Sequence, residues 1–357
     1  MYFIFSLIAL LCWSGSDLFS KKGTYQNDKN SHWRVIFAVG AIMGIHAVLT
    51  IIITAIFGDQ LVALDNPFLL SIFYTDFVPL DFIKYLPVAF VYLLAMVIGY
   101  AGLRYIELSI SSPICNASGS LALLIIVILG AFGVFSEPTA LKDIDIICVL
   151  LITFGIIWLG VVEYNESDEV KLLRSSGGQF KYTKSFIAIL IPIIYLLLDA
   201  FASVGDEIVY EFGFFESDYA ANTAFEFTSL CFAIFAFIFV TVIKKEKFFK
   251  VKVTEKDENG VEQTKYLPFS KELVFGGICE TIGQIFYMAV VASTFTQGLP
   301  IISSYCVLSV VWSRIFLKEK LSLKHYIAII ATLVGIVGLG VAELFEYNLY
   351  EMIFGLI

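Results

Sequence analysis

The sequence predicts an all-α membrane protein, with ten transmembrane helices in two inverted five-helix repeats, and three observations carry that prediction. Of the 357 residues, 59% are hydrophobic and only 15% charged, with a mean hydropathy of +0.87; soluble domains carry about 25% charged residues. The apolar residues gather into ten runs near the roughly 20-residue length that crosses a bilayer core. Three stretches of the first half also recur, in the same order, in the second.

The runs cover residues 3–20, 35–58, 85–103, 108–133, 144–163, 186–208, 219–243, 272–294, 298–317 and 325–345. They are too long for strands, and backbone in lipid must satisfy its own hydrogen bonds, so each is read as a helix. The first run has no positive segment before it and ends in Lys21-Lys22 without a small-residue cleavage site, so it reads as a retained anchor. Little chain is left for a soluble domain.

Two connections are long. Residues 59–84 mix Asp59, Asp65, Asp76 and Asp81 with Phe73, Tyr74, Phe77 and Phe82, which suits an interfacial segment. Residues 244–271 are basic. Lys250-Val-Lys-Val-Thr, followed by Asn259-Gly260-Val261, reads as a short hairpin with an Asn-Gly turn or as a solvated loop.

The net charge of -9 sits in the connections and gives no reason to expect a nucleic-acid partner. Of the 23 Lys and Arg residues, 20 fall in alternate connections: 21–34, 104–107, 164–184, 244–271 and 318–324. The positive-inside rule then places those connections in the cytoplasm and both termini outside. Cys12, Cys115, Cys148, Cys231, Cys279 and Cys306 lie in apolar runs without CxxC spacing, so they read as small buried side chains. Neither a metal nor an organic cofactor is implied.

The repeat begins with Trp13-Ser-Gly-Ser-Asp17-Leu-Phe19-Ser-Lys21, answered 182 positions later by Leu198-Asp199-Ala-Phe201-Ala-Ser203. Glu137-Pro-Thr-Ala-Leu141-Lys142 is answered by Glu319-Lys-Leu-Ser-Leu323-Lys324, also at 182. Gly155-Ile-Ile-Trp-Leu159-Gly160-Val161-Val-Glu163 is answered by Gly335-Ile-Val-Gly-Leu339-Gly340-Val341-Ala-Glu343, at 180. The expected units are residues 1–165 and 184–348, with a cytoplasmic linker at 166–183 and a tail at 349–357. An odd number of helices per unit inverts the second relative to the first, an arrangement that places a solute site near the midplane between repeats.

Taken together, the Trp13-to-Lys21 stretch, the acidic steps at Glu137 and Glu319 and the glycine-rich fifth helix of each half resemble the drug/metabolite transporter superfamily, EamA type. The resemblance spans essentially the whole chain and implies a ten-helix secondary transporter of metabolites or drugs. The Lys-containing and aromatic-Asn motifs of the superfamily's nucleotide-sugar transporters are not visible, which leaves such an exchanger as an alternative only.

A carboxylate at the centre of a span costs about 2.5–3.5 kcal/mol on insertion scales, so such groups face a cavity. Asp199, Glu226 and Glu280 are the main candidates for substrate or proton binding. Asn222 lies four residues before Glu226, and Gln284 four after Glu280, so each pair shares a helix face. Ser109, Ser112, Asn116 and Ser120 form a polar stripe that reads as a substrate contact or as interhelical glue worth about 0.6 kcal/mol per bond. Asp17 either serves the site or reaches water and pairs with Lys21 one turn on. Glu107 beside Arg104 reads as interfacial, Arg314 as snorkelling, and Asp206, Glu207 and Glu211 as a water-exposed helix end.

Carboxylates without Lys or Arg at depth suit a cationic, zwitterionic or neutral solute better than a phosphate. A carboxylate that binds either substrate or a proton makes proton-coupled export by alternating access the natural mechanism. His32, His46 and His325 are scattered and no HExxH appears, which argues against an enzyme, and no module is large enough for a scaffold. The expected partners are a small-molecule solute, the lipid bilayer and protons, in a monomer or homodimer. The expected location is the cytoplasmic membrane of a bacterium.

Overall fold

The computed structural model describes residues 2–25, 28–134, 143–165, 185–215, 217–256, 262–303, 305–319 and 321–345. The linker at 166–183, the tail at 349–357, Glu137, Lys142 and the Asn259-Gly260 turn lie outside them.

The first half contains α1 (Tyr2–Gly23), α2 (Ser31–Leu64), α3 (Pro67–Phe73), α4 (Pro79–Gly102), α5 (Leu108–Asn116), α6 (Ser118–Ala131) and α7 (Asp143–Asn165). The second contains α8 (Ser185–Glu211), α9 (Asp218–Ile238), β1 (Lys250–Lys256), β2 (Glu262–Pro268), α10 (Lys271–Ser303), α11 (Tyr305–Trp312) and α12 (Leu323–Phe345). One π-helical turn closes α9 at Phe239–Ile243, and another closes α11 at Ser313–Leu317. Among the described residues, seven helical segments are long and apolar enough to cross a membrane. Ile146–Trp158, Tyr305–Leu317 and Leu323–Gly338 are apolar but shorter. The protein is an all-α, multi-pass membrane protein, with one small hairpin among the described residues.

Three boundaries differ from the sequence reading. The run expected at 35–58 lies within a 34-residue helix, α2, about 51 Å long at 1.5 Å per residue, and so longer than a bilayer core is thick. The helix expected over 108–133 divides at Ala117 into α5 and α6. Pro113 removes one ladder donor, and Asn116 Nδ2 donates to the Ser112 carbonyl at 2.8 Å, drawing backbone bonding out of register there. The gap expected at 295–297 is absent, because α10 continues to Ser303; Gly298 costs a helix only about 1 kcal/mol relative to Ala.

Both long connections hold regular structure in their described residues. Asn66 Oδ1 accepts from the Phe68 and Leu69 amides and so caps α3, while Asp81 Oδ2 accepts from the Val78 amide at the start of α4. Strands β1 and β2 pair antiparallel, from Lys250 opposite Pro268 to Lys256 opposite Glu262. Val251 and Val253 are buried on one face of the hairpin. Phe248, Phe249 and Phe269 gather around Phe37 of α2 at its base. Arg34 fixes that base from α2, donating to the Phe248 carbonyl at 3.0 Å while pairing with Asp28.

The helices pack across the two halves in reciprocal pairs. Helix α1 lies on α10, α4 on α8, α2 on α9, α5 on α11 and α7 on α12. The polar side chains that the membrane would otherwise penalise converge between α1, α4, α5, α6, α8, α10 and α11.

Candidate functional site

Two adjoining chambers, of about 600 and 540 Å³, share Trp13, Met96, Asn116, Tyr195, Glu280 and Tyr305 as walls. Asp17 lines one chamber, and Asp199 and Gln284 line the other. No Lys or Arg is among the lining residues.

Each aspartate is held by serines from neighbouring helices. Asp17 Oδ2 accepts from Ser112 Oγ of α5 and from Ser309 Oγ of α11, both at 2.7 Å. Asp199 Oδ2 accepts from Ser118 Oγ of α6 at 2.6 Å, with Tyr195 beside it. Ser118 is the first residue of α6, so the division at Ala117 puts a polar helix start against Asp199. Irregular backbone of this kind is tolerated in a membrane where it lines a cavity. Glu280 lies on the wall common to both chambers, within electrostatic reach of Asp17 and Asp199.

The chambers also hold donors. Trp13 and Gln284 line the chamber, and their Nε1 and Nε2 are buried with no hydrogen-bond partner among the described residues. Asn116 is half committed, because its Nδ2 donates to the Ser112 carbonyl and, at 3.3 Å, to Ser112 Oγ.

The structure therefore gathers Asp17, Asn116, Asp199, Glu280 and Gln284 around one cavity. It places Asn222 and Glu226 elsewhere. Asn222 Nδ2 donates to Glu226 Oε1 at 3.1 Å, and His46 Nδ1 meets both Glu226 oxygens at 2.8 and 2.9 Å. His46, Asn222, Thr50 and Asp218 line a separate, smaller chamber of about 250 Å³. The three histidines looked scattered along the chain, yet His46 has this partner through the pairing of α2 with α9.

Asp206 is the main correction. Expected at a water-exposed helix end, it is fully buried, and Tyr85, Tyr92 and Tyr287 all donate to its carboxylate. A signal was present in the sequence: Asp199, Ser203 and Asp206 recur at intervals of four and three, and Tyr85 and Tyr92 at seven, each set on one helical face. Glu107, expected at the interface, is buried as well, while Glu211 is exposed.

Lys21 and Asp17 turn to different groups. Lys21 Nζ donates to the Leu103 and Ile106 carbonyls just past the end of α4. Glu319 accepts from the Leu108 and Ser109 amides, each at 3.0 Å, and from Ser109 Oγ at 2.7 Å, which caps α5. Two of the residues that carried the family resemblance thus fix the ends of helices that border the cavity.

A scan of protein families matches residues 190–341 to the EamA-like transporter family. A search of curated proteins finds no match. Among solved structures, one described only as a crystal structure of a protein is similar in fold, with a TM-score of 0.51 at 13% identity, over 96% of this chain and 98% of that one. Residues 190–341, from within α8 into α12, are thus similar to the EamA-like transporter family, in a chain whose apolar helices make it a multi-pass membrane protein.

Proposed function

We propose that the protein is a secondary transporter that exports a small polar solute, cationic, zwitterionic or neutral, by alternating access through the cavity between α1, α8 and α10. One observation carries this reading: Asp17 from the first half and Asp199 and Glu280 from the second line chambers with common walls. Carboxylates held in lipid at such cost are normally found on a solute or ion pathway.

The two halves, residues 1–165 and 184–348, act as inverted repeats in this proposal. The reciprocal packing of α1 on α10 and α4 on α8 supports it, as does the serine exchange in which Ser309 serves Asp17 and Ser118 serves Asp199. Rocking one half against the other opens the cavity to each side in turn. In this proposal the basic connections face the cytoplasm and both termini lie outside, which the distribution of Lys and Arg supports, and the membrane is the cytoplasmic membrane of a bacterium.

Proton coupling follows from competition. A carboxylate that has bound solute cannot hold a proton, so solute entry releases one and proton entry expels the solute. Glu280 faces both chambers and is best placed to take this part, with Asp199 beside it.

The test is proton release from purified protein in detergent as pools of amines, amino acids and sugars are added. Release with one pool, lost in Glu280→Gln or Asp199→Asn, is the expected result. Transport in liposomes that survives neutralisation of Asp17, Asp199 and Glu280 together would remove the cavity from the pathway.

A further inference from the structure

We propose that the cavity selects a protonated amine, and that Asp206, which lies behind its tyrosine wall, is the positioning residue that sets this selectivity. The proposal rests on the transporter reading of the same cavity and names its substrate class.

The first observation is the wall itself. Trp13 stands between two tyrosines, with ring centroids 5.1 Å from Tyr287 and 5.8 Å from Tyr305, the latter edge-on at 65°. All three rings line the chamber that contains Asp199 and Glu280. An aromatic corner beside carboxylates attracts a cation through both ring quadrupole and charge. With no Lys or Arg among the described residues of the wall, the carboxylate of a zwitterion finds only neutral donors.

The second observation is the direction of the tyrosine protons. Tyr85 Oη lies 2.5 Å from Asp206 Oδ1, while Tyr92 Oη and Tyr287 Oη lie 2.7 and 3.1 Å from Oδ2. Three hydroxyl donors on one carboxyl group is the arrangement that an ionised carboxylate accepts. A phenol has one proton to give. Tyr92 and Tyr287 line the cavity, but their two protons are taken up by Asp206 and by the bond between the hydroxyls, so the chamber meets oxygen lone pairs. Their hydroxyls are 2.8 Å apart, so one donates to the other within the same network, and the lone pairs left over face the chamber. Asp206 touches no solute; it acts by fixing which way these hydroxyls face. A ligand rich in N–H donors and positive charge matches that surface. A ligand that offers only acceptors does not.

The test compares three probes that share a phenyl ring: phenethylamine, phenethyl alcohol and phenylalanine, titrated calorimetrically into the full-length protein in detergent. The amine is expected to bind at least about tenfold more tightly than either of the others, as a charge-assisted hydrogen bond predicts. Equal or tighter binding of the alcohol or of phenylalanine overturns the proposal, and so does binding of none of the three. The transporter reading survives either outcome if another solute still releases protons, so the two failures are distinct.

The role of Asp206 is read from a ratio. In Asp206→Asn an amide donor faces the tyrosines and turns their protons toward the cavity, so the tenfold preference for amine over alcohol is expected to fall severalfold, the remainder being held by Asp199 and Glu280. A merely structural role would weaken both probes equally and leave the ratio unchanged, which overturns the assignment. Tyr287→Phe removes one acceptor oxygen while keeping the ring, and it reads the same ratio if Asp206→Asn does not fold.

Discussion

His46 and Glu226, 180 residues apart, meet inside the membrane, with Nδ1 of the ring 2.8 Å from Oε1 of the carboxylate. The other ring nitrogen, Nε2, donates to the Ile72 carbonyl at 3.0 Å, so the pair joins α2, the end of α3 and α9 at one point. Glu226 is fully buried, so removing His46 leaves its carboxylate without its ionic partner. Loss of one member of a buried pair costs on the order of 3 kcal/mol or more. His46→Ala and Glu226→Ala are each expected to lower thermal stability in detergent by that order. The double variant is expected to cost less than the sum of the two, with a coupling of at least ~1 kcal/mol. Strict additivity in that cycle would show that the two side chains do not act as a pair.

Glu319 gives a second stability prediction. Its two oxygens satisfy the Leu108 and Ser109 amides at the buried start of α5. In Glu319→Ala both donors are orphaned, at about 1–3 kcal/mol each. Glu319→Gln keeps one carbonyl acceptor and is expected to lose roughly half as much. Melting temperatures that rank wild type, Gln and Ala in that order support the cap; indistinguishable Gln and Ala variants would assign the loss to something other than hydrogen bonding.

How much of this was legible depends on where the partners lie. Asp17, Asn116, Asp199, Glu280 and Gln284 could be read because a polar group in an apolar run is anomalous on its own. The hairpin could be read because valines alternate along β1. The helical spacing of Asp206 from Asp199 was masked, because Glu207 follows it and Glu211 lies one turn on, so the acids resembled a water-exposed helix end. What buries Asp206 is a set of tyrosines on α4 and α10, distant in sequence. His46 is hidden for the same reason. The division at Ala117 was also invisible, since a proline inside a span is ordinarily tolerated and it is the Asn116 side chain that competes for the Ser112 carbonyl.

The approach of α2 to α9 is close enough to be tested with one methyl group. A Cβ at Gly40 would stand 2.1 Å from the Ser229 carbonyl oxygen and 3.0 Å from Ala233 Cβ. The first obstacle is backbone and cannot rotate away, so the helices must separate. Overpacking of this kind costs typically about 1–3 kcal/mol, and more where nothing can yield. Gly40→Ala is expected to lower the yield of folded protein sharply. Gly58→Ala on the same helix, whose nearest neighbour would be Thr54 Cγ2 at 3.4 Å, is expected to be nearly neutral. Size-exclusion profiles of the two variants make the comparison.

The serines on the two aspartates offer a test of motion. Ser309 reaches Asp17 from the second half, and Ser118 reaches Asp199 from the first, so both bonds cross between the proposed repeats. If the halves rock, these bonds hold one orientation and break in the other. A hydrogen bond to a charged group contributes about 1.5–3 kcal/mol. Its loss in Ser309→Ala or Ser118→Ala is therefore expected to shift the balance of the two orientations by roughly tenfold or more. Cys115 lines the cavity and can report this through its rate of thiol labelling, with the other five cysteines replaced. A change in labelling rate of that size in both variants fits bonds made in one orientation only. Rates equal to the unsubstituted background would mean that each serine stays with its aspartate throughout the cycle, and the moving boundary would then have to lie away from α1 and α8.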